Sequence, residues 1–274
     1  TLHDLMQNPV QRRALMGRAL AQGGLETAGF PLLLKILDAG QNLSVQVHPD
    51  LNYSTLHPHS HMKSEMWFVL DANPGALIYR GIRPDITREQ CERHIQQDTL
   101  LEIMITHPAR RGDCFWLPSG ICHALGAGVL VAEVQTPSDT TFRMWDWGRN
   151  DPARPLDLAA AMECLLLGEE QNLANLDRAR TPNIVHSDSI AIEVLVRTEW
   201  FDVERWSVKS NTPLRHDCIG VPVVWTILDG QFHADSLPHP LRRGSTLILP
   251  ANHSGLQGLS LIHISEPTRQ AEIS

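Results

Sequence analysis

Apolar residues at the start of the chain recur at helical spacing. Leu2, Leu5 and Met6 are followed by Leu15, Ala19 and Leu20, which predicts an opening helix running to about residue 22. The period then shortens. FPLLLKILDAG reads as a buried strand ending at Gly40, and SVQVHP, EMWFVL and ALIYRG follow as further strands. Residues 84–108 interrupt them with ITREQCERHIQQDTLLEIM, whose pattern is helical. Strands resume with GDCFWLPSG and GVLVAEVQ. PLDLAAAMECLLLGEE then predicts a second helix, its apolar face built from Leu156, Leu158, Ala159, Met162, Leu165 and Leu166. After residue 185 the chain turns strand-rich again, in AIEVLVRTEWFDVERWSV, VPVVWTILDG and STLILPA.

The second strand-rich half echoes the first. EMWFVLDA (65–72) resembles VVWTILDG (223–230), and GDCFWLPSG (112–120) resembles GSTLILPAN (244–252). Two related β units joined by a helix are therefore expected. Val223 stands where the first copy has Glu65, and Gly255 where it has His123. The echo keeps scaffold residues and loses polar ones, which marks Glu65 and His123 as chemistry rather than packing.

Composition narrows the function classes. With 274 residues, 42% of them hydrophobic, the chain can bury a large core. A diffuse net charge of −8, without a run of five like charges, argues against nucleic acid as a partner. No apolar stretch reaches the roughly 18 residues that span a bilayer, and no signal peptide opens the chain. The five cysteines are odd in number and form no CxxC pair, so a cytoplasmic protein without a disulfide framework is expected.

The candidate chemistry lies in the first half. Side chains two apart on a strand share a face, so Gln46 and His48 point together while Val45 and Val47 point away. Glu65 opens a later strand. Gly112-x5-Pro118-x-Gly120-x2-His123 places a tight turn just before His123. These spacings resemble the two motifs of the cupin superfamily, G-x5-H-x-H-x3,4-E and G-x5-P-x-G-x2-H. Gln46 replaces the first His, and the gap to Glu65 is longer. The resemblance implies a mainly β fold of tandem cupin units (double-stranded β-helix, or jelly roll) with helical insertions. It implies a first cupin over 1–150 with a helical insert near 84–108, a helical linker over 151–184, and a second cupin without metal ligands over 185–258. In that fold two imidazole nitrogens and two oxygens converge, a set suited to Zn²⁺ that would also accept Mn²⁺, Fe²⁺ or Ni²⁺.

SVQVHPD, KSEMWFVL, GDCFWLPSGICHALGAG and VAEVQTPSDTTFRMWDWGR together resemble the shorter bacterial type I mannose-6-phosphate isomerases over roughly residues 1–257. That resemblance implies one Zn²⁺ per chain on Gln46, His48, Glu65 and His123. It implies a small phosphosugar substrate, with no nucleic-acid or membrane partner, and leaves the oligomeric state open. The reaction implied interconverts mannose 6-phosphate and fructose 6-phosphate through a cis-enediol. Arg143, within SDTTFR, would meet the developing charge, unless it serves as a structural bridge to Asp139 or Asp146. Lys63 or Glu133 would carry the proton, and Ser44 and Lys63 would meet the phosphate. Two other readings of the same motifs are a non-catalytic sugar-phosphate-binding cupin and a metal-dependent oxygenase, to which Gln46 is a poor fit. HPHSH (57–61) is expected to be loop without function. Trp67, Trp116, Trp145 and Trp147 are expected in core or pocket wall.

Three departures from the family stand out. The chain lacks an initiator Met and opens as if within a longer sequence, so an N-terminal segment with further pocket residues is expected to precede it. LSLIHISEPTRQAEIS, over 259–274, resembles translated adapter sequence rather than the last strands of the second barrel. Met62 stands where longer isomerases place a His before the matching Lys, so a ring-opening role for that His does not transfer.

Overall fold

The computed structural model describes residues 1–22, 29–149, 151–171, 185–218, 220–253 and 256–260. The chain divides into two compact units. One takes in the described residues of 31–181 and 196–202, the other those of 1–30, 182–195 and 203–274.

The opening helix is two helices. In α1 (Leu2–Gln7), Thr1 and Asp4 form a capping box. Asn8 then ends it and caps α2 (Pro9–Gln22), accepting from the amides of Val10 and Gln11 at 3.0 and 3.1 Å, with Pro9 at the first helical position. Gly17, at φ 77°, kinks α2, and a Cβ there would lie 2.3 Å from the carbonyl of Gly220. Met6, Leu15 and Met16 are buried against Ile248.

The larger unit is built from β1 (Leu33–Asp38), β2 (Val45–Val47), α3 (Leu51–Leu56), β3 (Glu65–Ala72), β4 (Leu77–Ile82), α4 (Arg88–Gln96), β5 (Met104–Pro108), β6 (Cys114–Leu117), β7 (His123–Leu125), β8 (Val129–Gln135), β9 (Phe142–Trp145) and α5 (Leu158–Cys164). Its strands make two antiparallel sheets, ordered β1-β8-β3-β6 and β5-β4-β7-β2-β9. Trp67, Val69, Phe115, Leu117 and Val131 of the first sheet pack onto Ile78 and Leu125 of the second, so the two sheets close face to face as the expected jelly roll. The outer face of the second sheet is covered too. Val45, Val47, Cys122 and Met144 pack there against Cys91 and Ile95 of α4 and Ala161 of α5. This second apolar layer turns Gln46 and His48, which alternate with Val45 and Val47, toward the interior.

Three local expectations give way. The run Leu33–Asp38 is an exposed edge strand rather than a buried one. Among the described residues it pairs with β8 alone, and Ile36 is 57% exposed. An apolar run reads alike for an edge and a central strand. The insert at 84–108 is helical only over Arg88–Gln96 and a 3-10 turn at Leu100–Glu102. Asp98, at φ 61°, breaks the helix, and Met104–Pro108 becomes a strand beside β4. The predicted helix at 155–170 is an α-helix only over Leu158–Cys164, with a 3-10 turn at Gly168–Gln171. Leu165 is extended, and Leu166 donates its amide to the carbonyl of Gly120 at 3.0 Å. Gln171 then clamps both backbone groups of Ile82, at 2.8 and 2.9 Å. The rest of the 151–184 stretch, from residue 172, lies outside the described residues.

The other unit contains β10 (Val185–His186), β11 (Ile190–Arg197, through Leu195), β12 (Asp202–Val208, from Val203), β13 (Pro213–His216), β14 (Val223–Thr226), β15 (Gln231–His233), β16 (Leu241–Arg242), β17 (Thr246–Leu249) and β18 (Leu256–Ser260). The echo is a shared register. Glu65 pairs with Leu117 and Trp67 with Phe115, just as Val223 pairs with Leu249 and Trp225 with Leu247. Leu214, Phe232, Leu249 and Leu256 fill the core. β18 pairs with β13 and β15 up to Ser260, two residues past the expected boundary at 258. Gly255 and residues 261–274 lie outside the described residues.

Gly120 ties the fold to the site. It sits at φ 83°, and an added Cβ would lie 2.6 Å from the Leu166 side chain. Its amide donates to the carbonyl of His48 at 2.9 Å. Gly120→Ala is therefore expected to destabilise the chain by about 2 kcal/mol or more, read as a lower urea midpoint at unchanged m.

Candidate metal centre and active site

The second sheet carries a polar row across its strands. Arg80 on β4 pairs with His123 on β7, His123 with Gln46 on β2, and Gln46 with Arg143 on β9. Cross-strand partners share a face, so the row lies on the inner side with Gln46. Glu65 enters from the opposite sheet, at the start of β3.

These groups converge. Glu65 Oε1 is 3.1 Å from His123 Nε2, and Glu65 Oε2 is 3.5 Å from His48 Nε2. One ligand atom from each of the three lies within 4.8 Å of the others, and all three residues are buried. Gln46 Nε2 lies 3.3 Å from His123 Nε2. Exchanging that amide's N and O would present a carbonyl oxygen at the same place.

Both imidazoles are oriented through their far nitrogens. Nδ1 of His48 donates to the carbonyl of Thr140 at 3.0 Å, and Nδ1 of His123 to that of Ile121 at 2.8 Å. This tautomer leaves each Nε2 with a lone pair aimed at Glu65. Among the described residues, Nε2 of His48 and both oxygens of Glu65 have no well-formed hydrogen bond. Buried polar atoms are rarely left so. Two neutral imidazoles and a carboxylate with their lone pairs turned to one point fit a divalent cation.

Electrostatics agree. Burial pushes the His48 imidazole down to about 4, against the pull of Glu65, so it is neutral at pH 7. Burial alone would raise the Glu65 carboxyl, but His48, His123 and Lys63 around it hold it well below the usual carboxylate range. Lys63 Nζ is 2.8 Å from Glu65 Oε2.

Of the other expected residues, Glu133 is buried and fully engaged. Its Oε1 accepts from Lys35 Nζ at 2.8 Å and its Oε2 from Trp67 Nε1 at 2.9 Å. Trp67 also stands edge-on to His123, with centroids 5.3 Å apart. Arg143 is half-buried, makes no ion pair among the described residues, and its Nε lacks a hydrogen-bond partner. Asp146 pairs instead with Arg149 at 2.5 Å. Ser44 is buried one step before β2, and its hydroxyl makes no hydrogen bond among the described residues. In the HPHSH tract His57 lies 3.6 Å from Glu163, and His61 is exposed, outside the cluster.

Three polar residues of this interior escape the motif reading. Lys35 on β1 reaches Glu133 and also Gln135, at 2.5 Å. Gln135 is wholly buried and pairs across the sheet with Glu65. Arg80, also buried, donates through Nε to the carbonyl of Trp116 at 3.1 Å. A lone Lys within PLLLKIL and a lone Arg within ALIYRG were signals to their presence.

The depressed His48 fixes a sign. Between pH 6.5 and about 4 the unfolded chain binds a proton that the metal-free folded chain does not. Stability is therefore expected to fall on acidification through this window. Urea unfolding at pH 7 and pH 5 should show a steeper loss for the metal-free chain than for a His48→Asn variant.

The profile of the phosphomannose isomerase type I catalytic domain matches residues 4–75. A mannose-6-phosphate isomerase of Streptococcus mutans is 32% identical over 231 residues, covering 83% of this chain and 71% of its own. The Bacillus subtilis mannose-6-phosphate isomerase ManA is 30% identical over 261 residues, covering 90% of this chain and 81% of its own. Among solved structures, a mannose 6-phosphate isomerase of Bacillus subtilis superposes with TM-score 0.78 at 25% identity, over 94% of this chain and 79% of that one. An apo mannose 6-phosphate isomerase of Salmonella typhimurium gives TM-score 0.65 at 13% identity, over 95% and 83%, a likeness of fold. A buried His-Glu-His centre in a jelly roll, joined to these likenesses along most of its length, makes the chain a member of the type I mannose-6-phosphate isomerase family.

Proposed function

We propose that the chain interconverts mannose 6-phosphate and fructose 6-phosphate around a single Zn²⁺ held by Gln46, His48, Glu65 and His123. The observation that carries this reading is the convergence of the Nε2 atoms of His48 and His123 and the buried Glu65 carboxylate, one ligand atom of each within 4.8 Å of the others. An ion held there would supply Lewis-acid polarisation of the sugar oxygens.

The remaining work falls to the chain's own groups. Moving a proton between C1 and C2 builds negative charge on the sugar oxygens in the enediol. Arg143 lies beside Gln46 with Nε unsatisfied, so it can meet that charge without first breaking an ion pair. Lys63 carries the proton. Its nitrogen already reaches the centre through Glu65, whereas both oxygens of Glu133 are held by Lys35 and Trp67. Glu133 thereby keeps Trp67 against His123. The phosphate meets Ser44.

The sugar phosphate is the partner, with neither nucleic acid nor membrane involved. No described helix is long and apolar enough to cross a membrane. The five cysteines form no disulfide among the described residues, which fits the cytoplasm.

The purified chain is expected to turn over mannose 6-phosphate with zinc and to lose that turnover to a chelator. Arg143→Ala should cut kcat about 100-fold or more while zinc stays bound. Surviving turnover in that variant would remove Arg143 from the chemistry. Lys63→Ala should abolish exchange of the substrate C2 hydrogen with solvent, and Glu133→Gln should retain measurable exchange. The reverse pattern would move the proton to Glu133.

A further inference from the structure

One buried amide connects the two sides of the proposed centre. Gln135 ends β8, is wholly buried, and sits directly across the sheet from Glu65. Its hydrogen-bonding capacity is spent in one direction. Nε2 donates to the carbonyls of Thr136 at 2.9 Å and Ser138 at 2.6 Å, while Oε1 accepts from Lys35. Lys35 has no acceptor to offer, and the two carbonyls have no donor, so the amide cannot turn over.

The turn it holds, 136–140, is zipped to the segment leading into Glu65. The amide of Thr136 donates to Ser64 O at 3.0 Å, and the amide of Ser64 to Thr136 Oγ1 at 3.1 Å. The Ser138 hydroxyl donates to His61 O at 2.8 Å and accepts the amide of Thr140 at 3.2 Å. The amide of His61 donates to Thr140 Oγ1 at 2.9 Å. The zipper ends at the Thr140 carbonyl, which receives Nδ1 of His48. Three residues further on stands Arg143.

We propose that Gln135 is a positioning residue of the metal centre: through the 136–140 turn it sets the Thr140 carbonyl that orients His48. The inference rests on the metal reading above. Groups that orient a ligand in this way typically carry about 10- to 100-fold in metal affinity. A residue that only filled the core would alter stability and leave the ligand geometry, and hence zinc affinity, alone.

The test measures zinc affinity by competition with a chromophoric chelator at fixed pH, apart from turnover. Gln135→Met keeps the length of the side chain and removes both donors. Its zinc Kd is expected to rise about 10- to 100-fold, with the Nδ1 proton resonance of His48 losing its hydrogen-bonded shift in the apo chain. Ile78→Val, a core change on the other sheet, should lower Tm and keep the wild-type Kd. If Gln135→Met does not fold, Ser138→Ala interrupts the same zipper one step on and should raise Kd in the same direction. A folded Gln135→Met, or failing that a folded Ser138→Ala, with Kd within about twofold of wild type overturns the proposal. A wild-type chain that binds zinc no better than His48→Ala would instead overturn the metal reading on which it rests.

Discussion

A carboxylate without access to water governs this structure. Glu65 is fully buried between two imidazoles and an ammonium group. An unpaired charge in that position would cost several kcal/mol. The fold answers by bringing cationic or metal-ready partners from other strands to the same point. His123 and Gln46 arrive from neighbouring strands of the facing sheet, and His48 just beyond one of them. Only Lys63 is a near neighbour of Glu65 in sequence; the two imidazoles and the amide come from other strands, so the centre exists only once the sheets have closed.

Closure in turn depends on apolar layers on both faces of the second sheet. Val45 and Val47 are buried under α4 and α5, while Trp67, Phe115 and Leu117 pack the interior from the opposite side. A one-residue slip of β2 would turn the valines inward and the ligands outward. The helical insert, though it supplies no ligand, thus fixes which face of β2 meets Glu65. The turn at Pro118 and Gly120 does the same for β7, since the Gly120 amide is bonded to His48 itself.

What could be read from the sequence follows this logic. Strand alternation placed Gln46 and His48 on one face, and the Gly–Pro–Gly spacing placed His123 on the returning strand. The echo of EMWFVLDA in VVWTILDG survives as an identical pairing register. Lys35 and Gln135 could not be read in the same way. Their roles come from cross-strand hydrogen bonds with partners about a hundred residues apart, which no local period encodes. The exposure of β1 has no signal in its apolar run, because hydrophobicity reports what a strand can bury and not how many neighbours it has. The strand at Met104–Pro108 was hidden because its apolar residues continue the helical period of α4. Only the left-handed Asp98 and the pairing with β4 separate the two.

The two barrels together isolate what the centre requires. At the position of Glu65 the second unit has Val223, in the same register opposite a leucine. An apolar side chain there needs no partners, and the scaffold stands without them. The first barrel accepts a buried carboxylate instead, and the polar groups around it multiply accordingly: two imidazoles fixed by backbone carbonyls, a lysine, and a zipped turn behind one imidazole. Such networks stabilise only when every member is satisfied. Among the described residues, Nε2 of His48 and both oxygens of Glu65 lack a well-formed hydrogen bond and are turned to a common point. That point is where a cation would complete the set of partners around the buried carboxylate.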